Sequence, residues 1–400
     1  MRLYIFDDRQ ADAWQPFALS RPCSELLFGA LLLRQRLERF AGAAAVGLIT
    51  RPWLSSYSEP GVPPAASAEE IDKAEDRLFL CARAIPEAGE RFEPPPTAAT
   101  IRIGEDVVGA YVPGGEDGPD ESWFGAPVPI PGATQEIEGD VLQHVWDLIV
   151  RSPERTRADL EAGAVEVGPP LSSPPVQRLG SAELLLAADV QIEPGVVFDL
   201  RSGPICLDRG VEVRAGARLA GPLYAGPSSR LLGGSIAGLS AGPFSYLRGE
   251  IDGTVVLGYT NKAHDGFLGH AYVGRWVNLG ALTTNSDLKN TYGSIRLAGP
   301  NGEIDTGLMK LGCLIGDHVK TAIGTLIGTG SVLGCGANVF GGSPPRFMPP
   351  FSWGDSATEH RLEGFLRTAA VASERRGLRF GEAERTWLSA VWEAGRAQRG

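Results

Sequence analysis

A chain of 400 residues with 43% hydrophobic and 21% charged side chains is long enough for two domains with sizeable cores, and its 52 glycines and 30 prolines argue against a mainly helical protein. The net charge of −11 argues against a general nucleic-acid or anionic-membrane binder but leaves room for a small anion held by a few local arginines. Five scattered cysteines without a CxxC pair suit neither a disulfide framework nor a zinc site. The opening MRLYIFDD has acids where a secretion signal needs an apolar run, and no apolar stretch approaches the roughly 20 residues of a membrane helix, so the expectation is a cytoplasmic protein.

Residues 1–165 read as an α/β domain. Leu3-Tyr4-Ile5-Phe6 is a short apolar strand ending in Asp7-Asp8. A helix is expected after Arg21-Pro22, with Ser24 as N-cap, running through Leu26, Leu31 and Leu37 to Gly42 as its C′ residue. Ala45–Ile49 follows as a buried strand, an opening that suits an open parallel sheet. Arg77–Cys81 and Ala99–Ile103 are further strands, and a helix is expected around Val141–Val150. The proline-rich run 168–175, within a linker at 166–180, marks a domain boundary.

Beyond the linker, over 181–348, the period changes to six. Ile315, Thr321, Ile327, Leu333 and Val339 are evenly spaced, as are Ile205, Val211, Ala217 and Leu223, and Leu186, Ile192 and Phe198. A helix repeats at 3.6 and a strand at 2, whereas a triangular parallel β-helix places one inward residue per six-residue face. A β-sandwich of short strands has no reason to keep that register. The regular pattern is expected from about 184 to 341, interrupted at 285–310 by an excursion with a hairpin turn at Gly299-Pro300-Asn301-Gly302. Residues 349–400 return to helical spacing over Glu359–Ser373 and Glu382–Gln398 and are expected to cap the last coil.

The residues that suggest chemistry cluster before the excursion. His264 stands two residues after Lys262 and near the polar loop Thr283–Asn290, which suits a general base; a surface histidine on a coil corner is the alternative reading. His270, His318 and His144 read as structural, and no third ligand stands at useful spacing for a metal on His264 and His270.

Gly242-Pro243-Phe244-Ser245-Tyr246-Leu247-Arg248, Lys262-Ala263-His264, Phe267-Leu268-Gly269 and Val277-Asn278-Leu279-Gly280-Ala281 resemble the acetyltransferase half of the bifunctional glucosamine-1-phosphate acetyltransferase / N-acetylglucosamine-1-phosphate uridylyltransferase family. The wording is nearer to a divergent bacterial branch described as sugar nucleotidyltransferases, which shares the Asn285-Ser286-Asp287-Leu288-Lys289-Asn290 loop and the Phe6-Asp7-Asp8, Arg21-Pro22, Glu25-Leu26 and Gly29 pattern. The likeness spans most of residues 1–375 and is specific between 242 and 293. It implies a degenerate nucleotidyltransferase-like N-terminal domain and a left-handed parallel β-helix acting on an amino-sugar phosphate with acetyl-CoA. His264 would be the base, Arg248 and Lys262 would hold the sugar phosphate, and Asn278 and Asn285 would hydrogen-bond the substrate. Lys289 and Asn290 would be further contacts, and Ala281 would lie beside the pantetheine arm. A homotrimer is implied, with the excursion reaching a neighbour.

The N-terminal domain departs from the better-known enzyme. Its first strand runs into Asp7-Asp8-Arg9-Gln10-Ala11, without the glycines of a phosphate loop, and Cys81-Ala82-Arg83 stands where the branch has an asparagine-glycine pair. Arg21, Glu25 and Arg83 would either bind nucleotide or brace the fold. Asp7 and Asp8 would carry Mg2+ if this domain were active, or would be a solvated acidic pair at a strand end, the commoner case. Three functions compete: a sugar-nucleotide acyltransferase, a non-catalytic sugar-nucleotide sensor on a trimeric scaffold, and a nucleotidyltransferase with an inactive β-helix.

Overall fold

The computed structural model describes residues 1–167 and 176–399, so the proline-rich run at 168–175 lies outside the described residues. The N-terminal domain is built on a six-stranded sheet in the order Ala45–Ile49, Arg2–Phe6, Arg77–Cys81, Asp106–Val112, Ala99–Ile103, Ala133–Glu136. The first three strands are parallel, as the β-α-β opening predicts, but Asp106–Val112 runs antiparallel to both its neighbours, so the sheet is mixed. Leu3 and Ile5 pack into one core while Tyr4 and Phe6 pack into another, which is why this strand is apolar at every position rather than alternating.

The leucine-rich segment after Pro22 differs from expectation. Cys23–Glu25 is a single 3-10 turn, Leu27–Phe28 and Leu31–Leu32 pair as a tight antiparallel hairpin, and the helix proper is Leu33–Ala41. Tertiary hydrogen bonds override the helical spacing: Ser152 Oγ accepts from Gly29 N at 3.2 Å, Asp159 Oδ2 accepts from Ala30 N at 3.0 Å, and Gly29 takes φ +67°. The helix ends where the sequence says, at Gly42 with φ +63°. The single helix expected over Val141–Val150 is a strand at Gly139–Val141 followed by helices Asp147–Val150 and Ser152–Glu161.

From Gln177 to Met348 the chain winds as a parallel β-solenoid with three faces. The first face begins with Gln177–Leu179, the second with Leu184–Leu186 and the third with Gln191–Ile192. Ile315, Thr321, Ile327, Leu333 and Val339 are all buried, as are Ile205, Val211, Ala217, Leu223, Leu186 and Phe198; each large aliphatic among them contributes about 2 kcal/mol by burial. The period fades mid-solenoid because coil length changes. Ile205 pairs with Leu223 eighteen residues on, but Tyr224 pairs with Ser240 after sixteen, Ser240 with Val255 after fifteen and Val255 with Tyr272 after seventeen.

Tyr272 pairs next with Leu314, and the intervening excursion contains the expected hairpin, Arg296–Gly299 against Gly302–Asp305. The hairpin packs on its own chain through one strand: Ala298 N donates to Gly330 O at 2.9 Å, and Leu297 shares a core with Val332, while Gly302–Asp305 is exposed.

The second face carries the N-terminal domain, with Val255, Leu257, Tyr272 and Leu314 in that domain's core. The Tyr272 hydroxyl accepts from Leu27 N at 2.8 Å and donates to Leu27 O at 3.1 Å. Helices Leu362–Glu374 and Glu382–Arg396 pack Phe365, Leu366, Trp387 and Trp392 onto Phe351 of the last coil and Leu19 and Leu54 of the N-terminal domain, which caps the solenoid end and joins the two domains.

Candidate functional site

His264 lies on the corner where the third face turns into the first, between strands Asn261–Lys262 and Phe267–Gly269. Its side chain is exposed. Backbone hydrogen bonds stack this corner on its neighbours: Arg248 N donates to Lys262 O at 2.8 Å, Leu282 N to Asp265 O at 3.0 Å and Gly324 N to Ala281 O at 2.8 Å. Ala281 therefore sits one coil above His264 and Arg248 one coil below. Lys262 is 2% exposed, and its ammonium donates to Arg248 O at 2.8 Å and His264 O at 2.9 Å. Burial, only partly offset by Asp265, lowers its pKa to about 8. Lys262 is thus an internal strut that fixes the His264 backbone. Arg248 remains 44% exposed while donating to Asp265 Oδ1 at 3.0 Å and Leu232 O at 2.8 Å. Asp265, which directly follows the Lys262-Ala263-His264 motif and is without an expected role, orients that guanidinium.

The other expected substrate contacts do not all converge here. Asn285 is 3% exposed, and its amide accepts from Gly269 N at 2.8 Å and donates to Gly269 O at 2.9 Å, replacing strand pairing where the coil is interrupted. The Lys289 ammonium donates to Ser294 O within the excursion, and Asn290 is exposed on that loop. Asn278 is exposed on the third face, where its Oδ1 accepts from Asn261 Nδ2 at 3.0 Å. His270, expected to be a bystander, is the histidine with a carboxylate partner: its Nδ1 lies 2.8 Å from Asp287 Oδ2, and it adopts φ +46° on the corner between the first and second faces. The sequence signal for this pair is a histidine seventeen residues before an aspartate, close to one coil, but it becomes meaningful only once coil lengths are known. His318 is buried in an aromatic stack, where burial pushes its pKa well down, and His144 stacks on Trp146.

The N-terminal candidates are all engaged internally. Arg21 is fully buried: it donates to Asp317 Oδ2 at 2.8 Å, to the Tyr57 hydroxyl at 3.0 Å and to Glu59 at 3.2 and 3.3 Å, so it ties this domain to the solenoid. Burial opposes the Arg21 charge, but Asp317 and Glu59 hold its pKa well above the ordinary value. Burial likewise opposes the charge on Glu59, yet Arg21 and Arg275 bring its pKa down to about 2. Glu25 is buried against Arg34 at 2.5 Å. Arg83 holds both oxygens of Asp8 at 2.5 to 3.1 Å and donates to Leu142 O at 2.6 Å. Asp8 also accepts from Ala11 N at 2.9 Å, and Asp7 accepts from Cys23 N and the Thr50 hydroxyl and pairs with the Arg51 guanidinium at 3.1 Å. With these donors on their oxygens, Asp7 and Asp8 do not fit a Mg2+ site.

Residues 3–164 match the family model described as sugar nucleotidyl transferase. The chain is also 25% identical over 259 residues to the bifunctional protein GlmU of Bordetella parapertussis and to that of Bordetella bronchiseptica, an alignment covering 60% of this chain and 50% of each relative. It thus spans about half the length of the curated relatives it matches. The family match at the N-terminus, the distant GlmU similarity and the β-solenoid that follows together bear out the resemblance read from the motifs: the chain carries a sugar nucleotidyl transferase-type domain and is similar to GlmU in a divergent form.

Proposed function

We propose that the protein is an enzyme of sugar-nucleotide metabolism that transfers the acyl group of acetyl-CoA to the amine of a sugar phosphate of the glucosamine 1-phosphate kind. The observation that carries this reading is the exposed His264 imidazole on a corner whose backbone is pinned by the buried Lys262. The neutral imidazole takes a proton from the sugar amine as the nitrogen attacks the thioester carbonyl; the C–N bond forms, the C–S bond breaks, and the proton passes to the departing thiolate. Arg248, half-exposed and oriented by Asp265, supplies a cation for the sugar phosphate.

The same edge suits assembly. Leu282, Ile323 and Leu326 are 61%, 80% and 56% exposed on or beside this corner, while the second face already carries the N-terminal domain. A homotrimer would cover these side chains and close the site against water. In this reading the N-terminal domain docks and braces. Its internally paired Arg21, Glu25, Arg83, Asp7 and Asp8 argue against nucleotidyl transfer and favour a second reading, a non-catalytic scaffold.

The test is release of free thiol when the purified protein is incubated with acetyl-CoA and glucosamine 1-phosphate. Thiol release that disappears in His264→Ala supports acyl transfer. Its absence in the wild type across several amino-sugar phosphates leaves the scaffold reading.

A further inference from the structure

A groove of about 360 Å3, separate from the His264 corner, runs between the third face and the helix Leu362–Glu374 with the turn that follows it. Its floor is Asn261, Asn278 and Lys320, in register on successive coils. Arg375 and Arg376 overhang it from the helix end. No carboxylate lines it among the described residues.

No carboxylate offsets the cations of this groove among the described residues, although the Lys320 ammonium donates to Trp276 O and burial lowers its pKa to about 8. Neither Arg375 nor Arg376 makes an ion pair or a side-chain hydrogen bond among the described residues, and Arg376 Nε is buried without a partner. Arg376 lies 4.1 Å from the Tyr246 ring centre, and Arg230 lies 4.9 Å from the same centre, so two guanidinium groups crowd one ring. Burial, reinforced by Arg375 and Arg230, shifts the Arg376 guanidinium below its ordinary value. A buried donor and neighbouring like charges are costly unless an anion satisfies them. In a chain with net charge −11, such a cluster is not a consequence of general composition.

The floor adds selectivity. Because Asn261 Nδ2 donates to Asn278 Oδ1 at 3.0 Å, the pair keeps Asn261 Oδ1 as an acceptor and the Asn278 amide as a donor, a set that matches sugar hydroxyls. Tyr259 and Trp276 stack on each other with centroids 4.5 Å apart, inside a column that continues to Phe244 and His318, so they offer edges rather than faces. That disfavours a stacked nucleobase and suits the rim of a sugar ring.

We propose that this groove binds a sugar phosphate, with Arg375 and Arg376 on the phosphate and Asn261 and Asn278 on the hydroxyls, while Lys320 braces the floor through Trp276 O. The site is independent of acyl transfer, since binding needs neither acetyl-CoA nor His264.

Calorimetric titration of the full chain carrying Arg248→Ala, which takes the phosphate cation off the His264 corner so that the groove alone is read, tests it with three probes: glucosamine 1-phosphate, UDP-N-acetylglucosamine and inorganic phosphate. Glucosamine 1-phosphate or UDP-N-acetylglucosamine should bind at least tenfold more tightly than inorganic phosphate; whichever is preferred identifies the sugar phosphate as free or nucleotide-linked. Arg376→Gln should weaken binding about tenfold, as expected for loss of one charge-assisted hydrogen bond. Asn278→Asp, which adds a negative charge to the floor, should weaken it by at least as much, and Val371→Trp, which fills the groove from the helix, should abolish it while the thermal midpoint stays at the wild-type value. His264→Ala should leave these affinities unchanged, even if it ends thiol release. Failure of both sugar probes to bind at millimolar concentration, equal affinity for inorganic phosphate, or binding that survives Val371→Trp but is lost in His264→Ala would each overturn the proposal.

Discussion

The N-terminal domain and the outer surfaces of the solenoid use charge in opposite ways. Around Arg21, every guanidinium and carboxylate is buried against a partner: Asp317, Glu59, Tyr57 and Arg275 enclose one another across the domain boundary. On the solenoid His264 is exposed and Arg248 is held by a single carboxylate, and at the end of the helix packed on it Arg375 and Arg376 have none among the described residues. Both regions contain residues that resemble substrate contacts by motif. Buried, mutually satisfied charges hold parts of the fold in place, whereas groups left with open donors or acceptors are the ones that can meet a ligand.

The sharpest way to break that contrast is to exchange the expected effects. His264→Ala should lower acyl transfer by about 10² to 10⁴-fold with an unchanged thermal midpoint. Arg21→Ala should do the reverse, leaving Asp317 and Glu59 buried without their cation and costing about 3 to 5 kcal/mol of stability in urea unfolding. An Arg21→Ala protein with wild-type stability would show that this cluster is not a brace. Of similar size is Ile327→Asp, which puts an unpaired carboxylate inside the coil and should cost several kcal/mol; normal melting would refute the inward placement.

Acid should separate the two regions next. The Glu59 pKa is held at about 2 in the folded protein against an ordinary 4.5, so its contribution to stability is present above pH 4.5 and is lost as pH falls toward 2. The span corresponds to about 3 kcal/mol, and Glu59→Gln should flatten the unfolding free energy over that window. The smallest expected effect is on the His270–Asp287 contact, where Asp287→Asn should cost about 1 kcal/mol and speed amide exchange in residues 286–312, because the pair ties the excursion to the coil. If His270→Gln rather than His264→Ala proves to be the inactive enzyme, the carboxylate-oriented imidazole is the base and the proposed site moves to the opposite corner.

Much of the architecture was legible because it depends on local backbone geometry. A residue every six positions marks the inward side of a flat coil face whatever lies elsewhere, and Ile315 through Val339 are buried accordingly. The hairpin at Gly299–Gly302 and the helix end at Gly42 follow from turn chemistry in the same way. His264 is exposed on a corner beside Ala281 and Arg248, the position that both the general-base reading and the surface-corner reading give it.

What only the tertiary structure decided are partnerships between residues far apart in the chain. Arg21 and Asp317 are 296 positions apart, and no periodicity announces that they meet. Asp159 turns the Leu27–Leu32 run into a hairpin from 129 positions away from Ala30, against a spacing that reads as helix. Coils of fifteen to seventeen residues erase the six-residue period in the segment that carries His264 and Asn278, so the face each side chain occupies is set by stacking. Lys262 illustrates the division most clearly. Its sequence neighbours mark a cation beside a base, but the stacked coil below supplies Arg248 O, and with His264 O this converts a phosphate-binding candidate into a buried strut. A side chain's type is written in the sequence, whereas its free donors are what remain after distant backbone has taken its share.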